Sequence, residues 1–121
     1  MQSFDRVALA LSDPIRLRIL DLLAAGRDKA CCSPDNPEVP ASICACDLLL
    51  SLGDVTPSGL SYHMKELREA GLVREQKRSR WVYYSLNKQV LSDFLSALER
   101  RYIVHQLCGP ACGVAPRPGA P

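Results

Sequence analysis

Cys44-Ala45-Cys46-Asp47-Leu48, then Thr56-Pro57-Ser58-Gly59-Leu60-Ser61-Tyr62-His63-Met64-Lys65, then Arg80-Trp81-Val82-Tyr83-Tyr84-Ser85-Leu86: these three segments decide the fold. Leu48, Leu49 and Leu52 make a short apolar helix from about residue 46 to residue 52, and Gly53-Asp54-Val55 turns the chain. Thr56 reads as an N-cap with Pro57 at the first helical position. Leu60, Met64 and Leu67 then fall on one helical face, with Ser58, Tyr62, Lys65 and Glu69 on the opposite one. Gly71 stands where a glycine ends a helix. Helix, tight turn, helix is the signature of a helix-turn-helix. Residues 72–76 and 81–86 are rich in β-branched and aromatic side chains, and the basic turn Lys77-Arg78-Ser79-Arg80 joins them. That is a hairpin, and after a helix-turn-helix it is a wing. The expected fold class is mainly α with a β-hairpin wing, a winged helix-turn-helix.

The flanking sequence agrees. Phe4, Val7, Ala8 and Leu11 repeat at the spacing of one helical face. Asp13-Pro14 is a second N-cap and N1 proline, and Ile15, Ile19, Leu20, Leu22 and Leu23 carry a strongly apolar helix that Gly26 can end. A last helix over about residues 88–104 puts Leu91, Phe94, Leu95, Leu98 and Tyr102 on one face. A lone winged helix leaves such a stripe partly bare. Phe4, Leu91, Phe94, Leu95 and Leu98 are therefore the expected dimerisation residues. Residues 27–41 contain three prolines and few apolar anchors, so they read as a loop. The expected division is one domain over residues 1–107, with 27–41 as an inserted loop, and a Pro/Gly-containing tail over 108–121 with little fixed structure.

A chain of 121 residues and 13.3 kDa suits a single domain with a modest core. No run of 18 apolar residues is present, so no membrane span is expected. The N-terminal residues lack a long apolar region and a cleavage site, which makes the cytoplasm the default location. Formal net charge is only +2, so nucleic-acid binding has to come from local concentration of charge. Lys65, Arg68, Arg74, Lys77, Arg78 and Arg80 supply it. Ser58, Ser61, Tyr62, His63 and Lys65 lie near the start of the second helix of the motif, where such proteins meet the major groove. Lys77, Arg78 and Arg80 on the wing suit the backbone or the minor groove. A basic cluster alone is usually just a solvated surface; its place behind a Pro-capped helix favours DNA. His63 sits at the edge of the apolar stripe and suits a structural role as well as a base-reading one. Tyr62 is better placed to face DNA.

The six cysteines come as three close pairs: Cys31 with Cys32, Cys44 with Cys46, Cys108 with Cys112. Without a secretory signal they argue for metal or redox chemistry over a disulfide framework. The plainer alternative, small buried hydrophobes, suits one isolated cysteine better than three pairs. Thiolates are soft ligands and select thiophilic ions. Cys44 and Cys46 are two apart, about 200° on a regular helix, so both reach one ion only where the backbone is or becomes non-helical. Closing the chelate would then distort the start of the helix that supports the DNA reader. Zinc would want four ligands, and six cysteines can provide them. No Cys–His spacing, carboxylate pair or phosphate-cradling loop supports an enzyme or an organic cofactor.

On these residues the chain resembles the ArsR/SmtB family of metal(loid)-responsive repressors, over about residues 4–104. Ile43-Cys44-Ala45-Cys46-Asp47-Leu48 is similar to the thiol box of its arsenic-responsive members. Ser58, Ser61, His63 and Met64 match the family's recognition helix, and Gly71-Leu72-Val73 with Arg80-Trp81-Val82-Tyr83-Tyr84 match its wing. The resemblance implies a homodimeric repressor on operator double-stranded DNA, released by As(III) or Sb(III). Rival inducers on the same fold are Cd, Pb, Zn or thiol oxidation. One departure stands out: where the founding repressors carry a third cysteine, this chain has Leu49. The third ligand then falls to Cys31, Cys32, Cys108 or Cys112, or to hydroxide. The family's zinc site on the last helix is discounted, because Asp93 is present but Leu95 replaces the needed histidine.

Overall fold

A computed structural model describes residues 3–27 and 33–104. Cys31, Cys32, Cys108, Cys112 and the expected tail lie outside the described residues. The elements run α1 (Phe4–Ala10), α2 (Pro14–Ala25), β1 (Ile43–Cys44), α3 (Ala45–Leu52), α4 (Pro57–Glu69), β2 (Val73–Arg78), β3 (Trp81–Leu86) and α5 (Lys88–Leu98). A π-helical turn, Glu99–Ile103, follows α5.

Helices α1, α2 and α4 each start at a side-chain cap, and the sequence announces two of these, Asp13 and Thr56. Ser3 accepts from the Arg6 amide, Asp13 from those of Ile15 and Arg16, and Thr56 from that of Gly59. A side-chain acceptor satisfies an amide that the helix leaves orphaned. Burial raises the Asp13 carboxyl's pKa, but its two amide bonds and the nearby His63 and Arg16 outweigh that and hold it below its ordinary value. Gly59 is closely packed: a Cβ there would stand 3.0 Å from Thr56 Oγ1, and the capping hydroxyl would have to give by a few tenths of an ångström. Gly26, Gly53 and Gly71 take positive φ at helix ends, the conformation glycine adopts most cheaply.

The core gathers one face of every element up to the wing. Val7, Ile19, Leu23, Leu48, Leu52, Leu60, Met64, Leu67 and Leu72 are buried together, with Ile43 and Tyr84 closing it from the sheet. The predicted stripe of Leu60, Met64 and Leu67 is fully inward, and Ser58, Tyr62, Lys65 and Glu69 are outward. The sheet has three antiparallel strands in the order β1-β3-β2. The wing strands reach further than predicted, leaving only Ser79 and Arg80 as the turn, with Ser79 at φ 58°. The third strand, β1, is not visible in the sequence, because two residues carry no alternation to read.

The last helix differs from its expected course. Regular α-helix stops at Leu98, and the π turn carries the chain to Ile103. No α5 residue is buried, although Phe94 stacks on Phe4 with ring centroids 4.9 Å apart. An open groove between α1 and α5 is lined by Phe4, Val7, Val90, Phe94 and Ala97. Leu95, Tyr102 and Ile103 are each more than half exposed. No helix among the described residues is long and apolar enough to cross a membrane.

Candidate functional site

Cys44 ends β1 and is also the N-cap of α3. Its Sγ accepts the Asp47 amide at 3.4 Å, and its thiol donates to Asp47 Oδ2 at 3.0 Å. The first bond is half of a capping box, with sulfur in place of a hydroxyl; the second goes to the thiol and not to the Cys44 amide. Extended backbone at Cys44 (φ −77°, ψ 158°) swings its side chain toward that of Cys46 in the first turn. The two Sγ atoms lie 3.5 Å apart. Two thiolates sharing one ion at about 2.3 Å in a tetrahedral arrangement sit about 3.8 Å apart. The pair therefore has nearly the bite of one ion before any ion arrives. The junction is already non-helical, the first of the two conditions under which the pair can converge, and this weakens the expectation that closing the chelate distorts the start of the helix. With Asp47 the donor atoms form a cluster within 4.8 Å.

Cys44 is a free and buried thiol, whereas Cys46 is disulfide-bonded. An ion at this place needs Cys46 reduced. Asp47 is buried too, and Ser33 Oγ donates to its Oδ2 at 3.3 Å. The Asp47 contribution was missed in the sequence. Its place three residues after an N-cap was the available signal.

On α4, the helix after α3, stands the surface predicted to meet DNA. Ser58, Ser61, Tyr62 and Lys65 are exposed on α4, Tyr62 at 57%. His63 is not with them. It is buried, and its Nδ1 faces the Arg16 guanidinium at 3.2 Å. Arg16 also donates to the carbonyls of Ala10 (2.8 Å) and Leu9 (3.3 Å) at the end of α1. His63 therefore ties α4 to α1 and α2 and leaves the DNA-facing set. The sequence offered no partner for it, because Arg16 lies 47 positions away.

The basic cluster divides. Lys77 and Arg80 are exposed, and Arg80 lies over the Trp81 ring at 4.8 Å. Arg68 is tied to Glu75 at 2.5 Å and Arg78 to Glu38 at 2.8 Å. A hydrogen bond from the Gln76 amide, then the Arg78 guanidinium, hold the Glu38 carboxyl below its usual range.

No protein-family model matches the chain. The arsenical resistance operon repressor of Staphylococcus aureus is 36% identical over 98 residues, covering 81% of this chain and 79% of that protein. The chain belongs to the ArsR family of winged-helix transcriptional regulators. The family is non-enzymatic, so the enzyme reading falls away. The transcriptional repressor SdpR of Bacillus subtilis is 30% identical, covering 76% of this chain and 84% of that one. Solved structures agree on the fold. An ArsR family transcriptional regulator superposes with a TM-score of 0.63 at 18% identity, covering 80% of this chain and 89% of that one. A homodimeric winged helix-turn-helix DNA-binding domain from Mycobacterium bovis does so with 0.57 at 23% identity, covering 84% and 82%.

Proposed function

We propose that this ArsR-family chain is a homodimeric repressor that holds operator DNA without ligand and releases it when As(III) or Sb(III) binds Cys44 and Cys46. The observation that carries this reading is the pair of sulfurs 3.5 Å apart at the N-cap of α3, the helix directly before the recognition helix. Arsenite exchanges As–O bonds for As–S bonds, and each thiol proton leaves with the displaced hydroxide as water. Asp47, already hydrogen-bonded to the Cys44 thiol, is an acceptor placed on that proton's path. A carboxylate is a hard ligand, so a third thiolate suits a soft metalloid better. Cys31 or Cys32 is our first choice for it, ahead of Cys108 and Cys112. In reduced protein, one equivalent of As(III) per protomer should protect Cys44 and Cys46 from alkylation. Unchanged alkylation of both would remove the site.

The disulfide at Cys46 favours one second reading, a regulator switched by thiol oxidation. Operator release by oxidant but not by As(III) would select it.

The DNA-facing residues are Ser58, Ser61, Tyr62 and Lys65 on α4, with Lys77, Arg78 and Arg80 on the wing. Lys65→Ala and Arg80→Ala should each weaken operator binding. Each should also flatten its log–log salt dependence by about one unit, the loss of one phosphate contact. An unchanged slope in both moves the DNA surface elsewhere.

Dimerisation uses Phe4, Leu91, Phe94, Leu95 and Leu98. The groove between α1 and α5, with Phe4, Val7, Val90, Phe94 and Ala97 in its lining beside polar and charged side chains, and the exposed Leu95, Tyr102 and Ile103 support it. Two-fold symmetry asks for an operator of two related half-sites. Sedimentation should give a dimer, and a monomer that still binds the operator tightly would contradict this.

A further inference from the structure

Cys44 pairs with Tyr83, and Tyr83 pairs with Gln76, so these three residues form one row across β1, β3 and β2. Directly paired residues present their side chains on the same face. Residues 33–41 of the inserted loop bond Tyr83 and Gln76 directly and reach Cys44 through Asp47. Ser33 bonds Asp47, the partner of the Cys44 thiol. The Tyr83 hydroxyl donates to the Pro34 carbonyl at 2.6 Å. Asn36, 0% exposed, donates to Gln76 Oε1 at 2.8 Å and to Ser42 Oγ at 3.2 Å, and accepts the Glu38 amide. The Gln76 amide in turn donates to Glu38 Oε2 at 2.6 Å, and Arg78 donates to Glu38 Oε1 at 2.8 Å. Hydrogen bonds thus join Cys44 to Ser33 through Asp47, and Asn36 to Arg78 through Gln76 and Glu38, and the backbone from Ser33 to Asn36 joins the two sets.

The two ends differ in chemistry. At the first, the Cys44 thiol and the Ser33 hydroxyl share one acceptor, Asp47 Oδ2, at 3.0 and 3.3 Å, so a ligand that takes up the Cys44 sulfur changes what Ser33 has to itself. At the second, a carboxylate occupies a guanidinium. Carboxylate and phosphate ask for the same donors of an arginine, so only one can have them. Glu38 is exposed and its pair with Arg78 is open to water, which makes the contact exchangeable. The buried amide of Asn36 keeps the acid in place while it exchanges.

We propose that residues 33–41 form a gate on the wing, in which Glu38 competes with DNA phosphate for Arg78 and the thiol site sets that competition through Ser33 and Asn36. The gate rests on the DNA-facing and inducer readings above. Ion binding at Cys44 holds the gate closed and takes Arg78 from the operator.

The test uses the full reduced chain and a salt series of operator binding, first without ligand. Glu38→Gln keeps the shape and removes the charge. It should tighten binding about 3–10-fold and steepen the log–log slope by about one unit, as one more cation reaches a phosphate. In an Arg78→Ala background the same change should do nothing. An unaltered slope in Glu38→Gln, or the same gain without Arg78, overturns the gate, the latter because it would be a general charge effect. Arg78→Ala that binds like the parent overturns the gate together with the wing reading. With As(III) as probe, Ser33→Ala should still protect Cys44 from alkylation yet show at least a threefold smaller ratio of ligand-free to loaded operator affinity. An equal ratio overturns the link to the thiol site. A parent protein indifferent to As(III) overturns the inducer reading alone, and the Glu38 and Arg78 arms still decide the gate.

Discussion

Cys44→Ser and Cys46→Ser each keep operator binding and lose release by As(III). The expected loss of inducer sensitivity is about 100-fold or more. Removing a residue that only supports a metal ligand already costs about 10–100-fold, and here a ligand itself goes. The fold should survive both changes. Serine is a better N-cap than cysteine, and its hydroxyl at position 44 can keep the bond to the Asp47 amide. Thermal unfolding checks that, and fluorescence anisotropy on labelled operator reads the release. Deleting residues 108–121 should leave most of the response, while Cys31→Ser combined with Cys32→Ser should weaken it. Normal response in the Cys44 and Cys46 variants, with failure of the tail deletion, would place the inducer in the tail.

The second large effect belongs to Arg16. Its guanidinium is nearly buried and serves three acceptors: the Leu9 and Ala10 carbonyls and His63 Nδ1. Arg16→Met fills similar space but leaves those acceptors unpaired. Each hydrogen bond to a charged group contributes about 1.5–3 kcal/mol, and orphaned buried groups cost more than the bond itself. Part of the loss is offset because the charge no longer has to be desolvated. The expected net destabilisation is about 2–4 kcal/mol, read as a lower denaturant midpoint at constant slope. Operator affinity should fall with it, since Arg16 fixes α4 through His63. The salt slope should stay as it was, because Arg16 touches no phosphate. A variant as stable as the parent would show that the Arg16 network contributes nothing net.

The helix-turn-helix was legible because its signals are local. Thr56-Pro57 opens the recognition helix, Gly71 closes it, and Leu60, Met64 and Leu67 repeat at 3.6 residues. The wing was legible for the same reason. What the sequence hid depends on distant partners. A two-residue strand at Ile43–Cys44 exists only because β3 offers it a register. That pairing forces Cys44 into extended backbone, and the extended backbone brings the two sulfurs together. Helical spacing alone put them on opposite sides. The inserted loop read from its prolines only as an irregular loop, yet Ser33 and Asn36 are buried. Polar residues in a loop announce nothing about burial until their partners, here Asp47, Ser42 and Gln76, are known.

The most direct measurement is a titration of the preformed operator complex of the reduced parent protein. As(III), Sb(III), Cd(II), Zn(II) and an oxidant are added in separate arms, and bound DNA is followed by anisotropy. A ligand that moves the operator-bound state from mostly bound to mostly free must favour the DNA-free form by several kcal/mol, about a thousandfold or more in affinity. The expected result is release by As(III) and Sb(III) near one equivalent per protomer, with Cd(II), Zn(II) and oxidant far weaker. Full retention of DNA at saturating As(III) and Sb(III), with release by one of the other three, would contradict the assignment of this ArsR-family chain as a metalloid-responsive repressor.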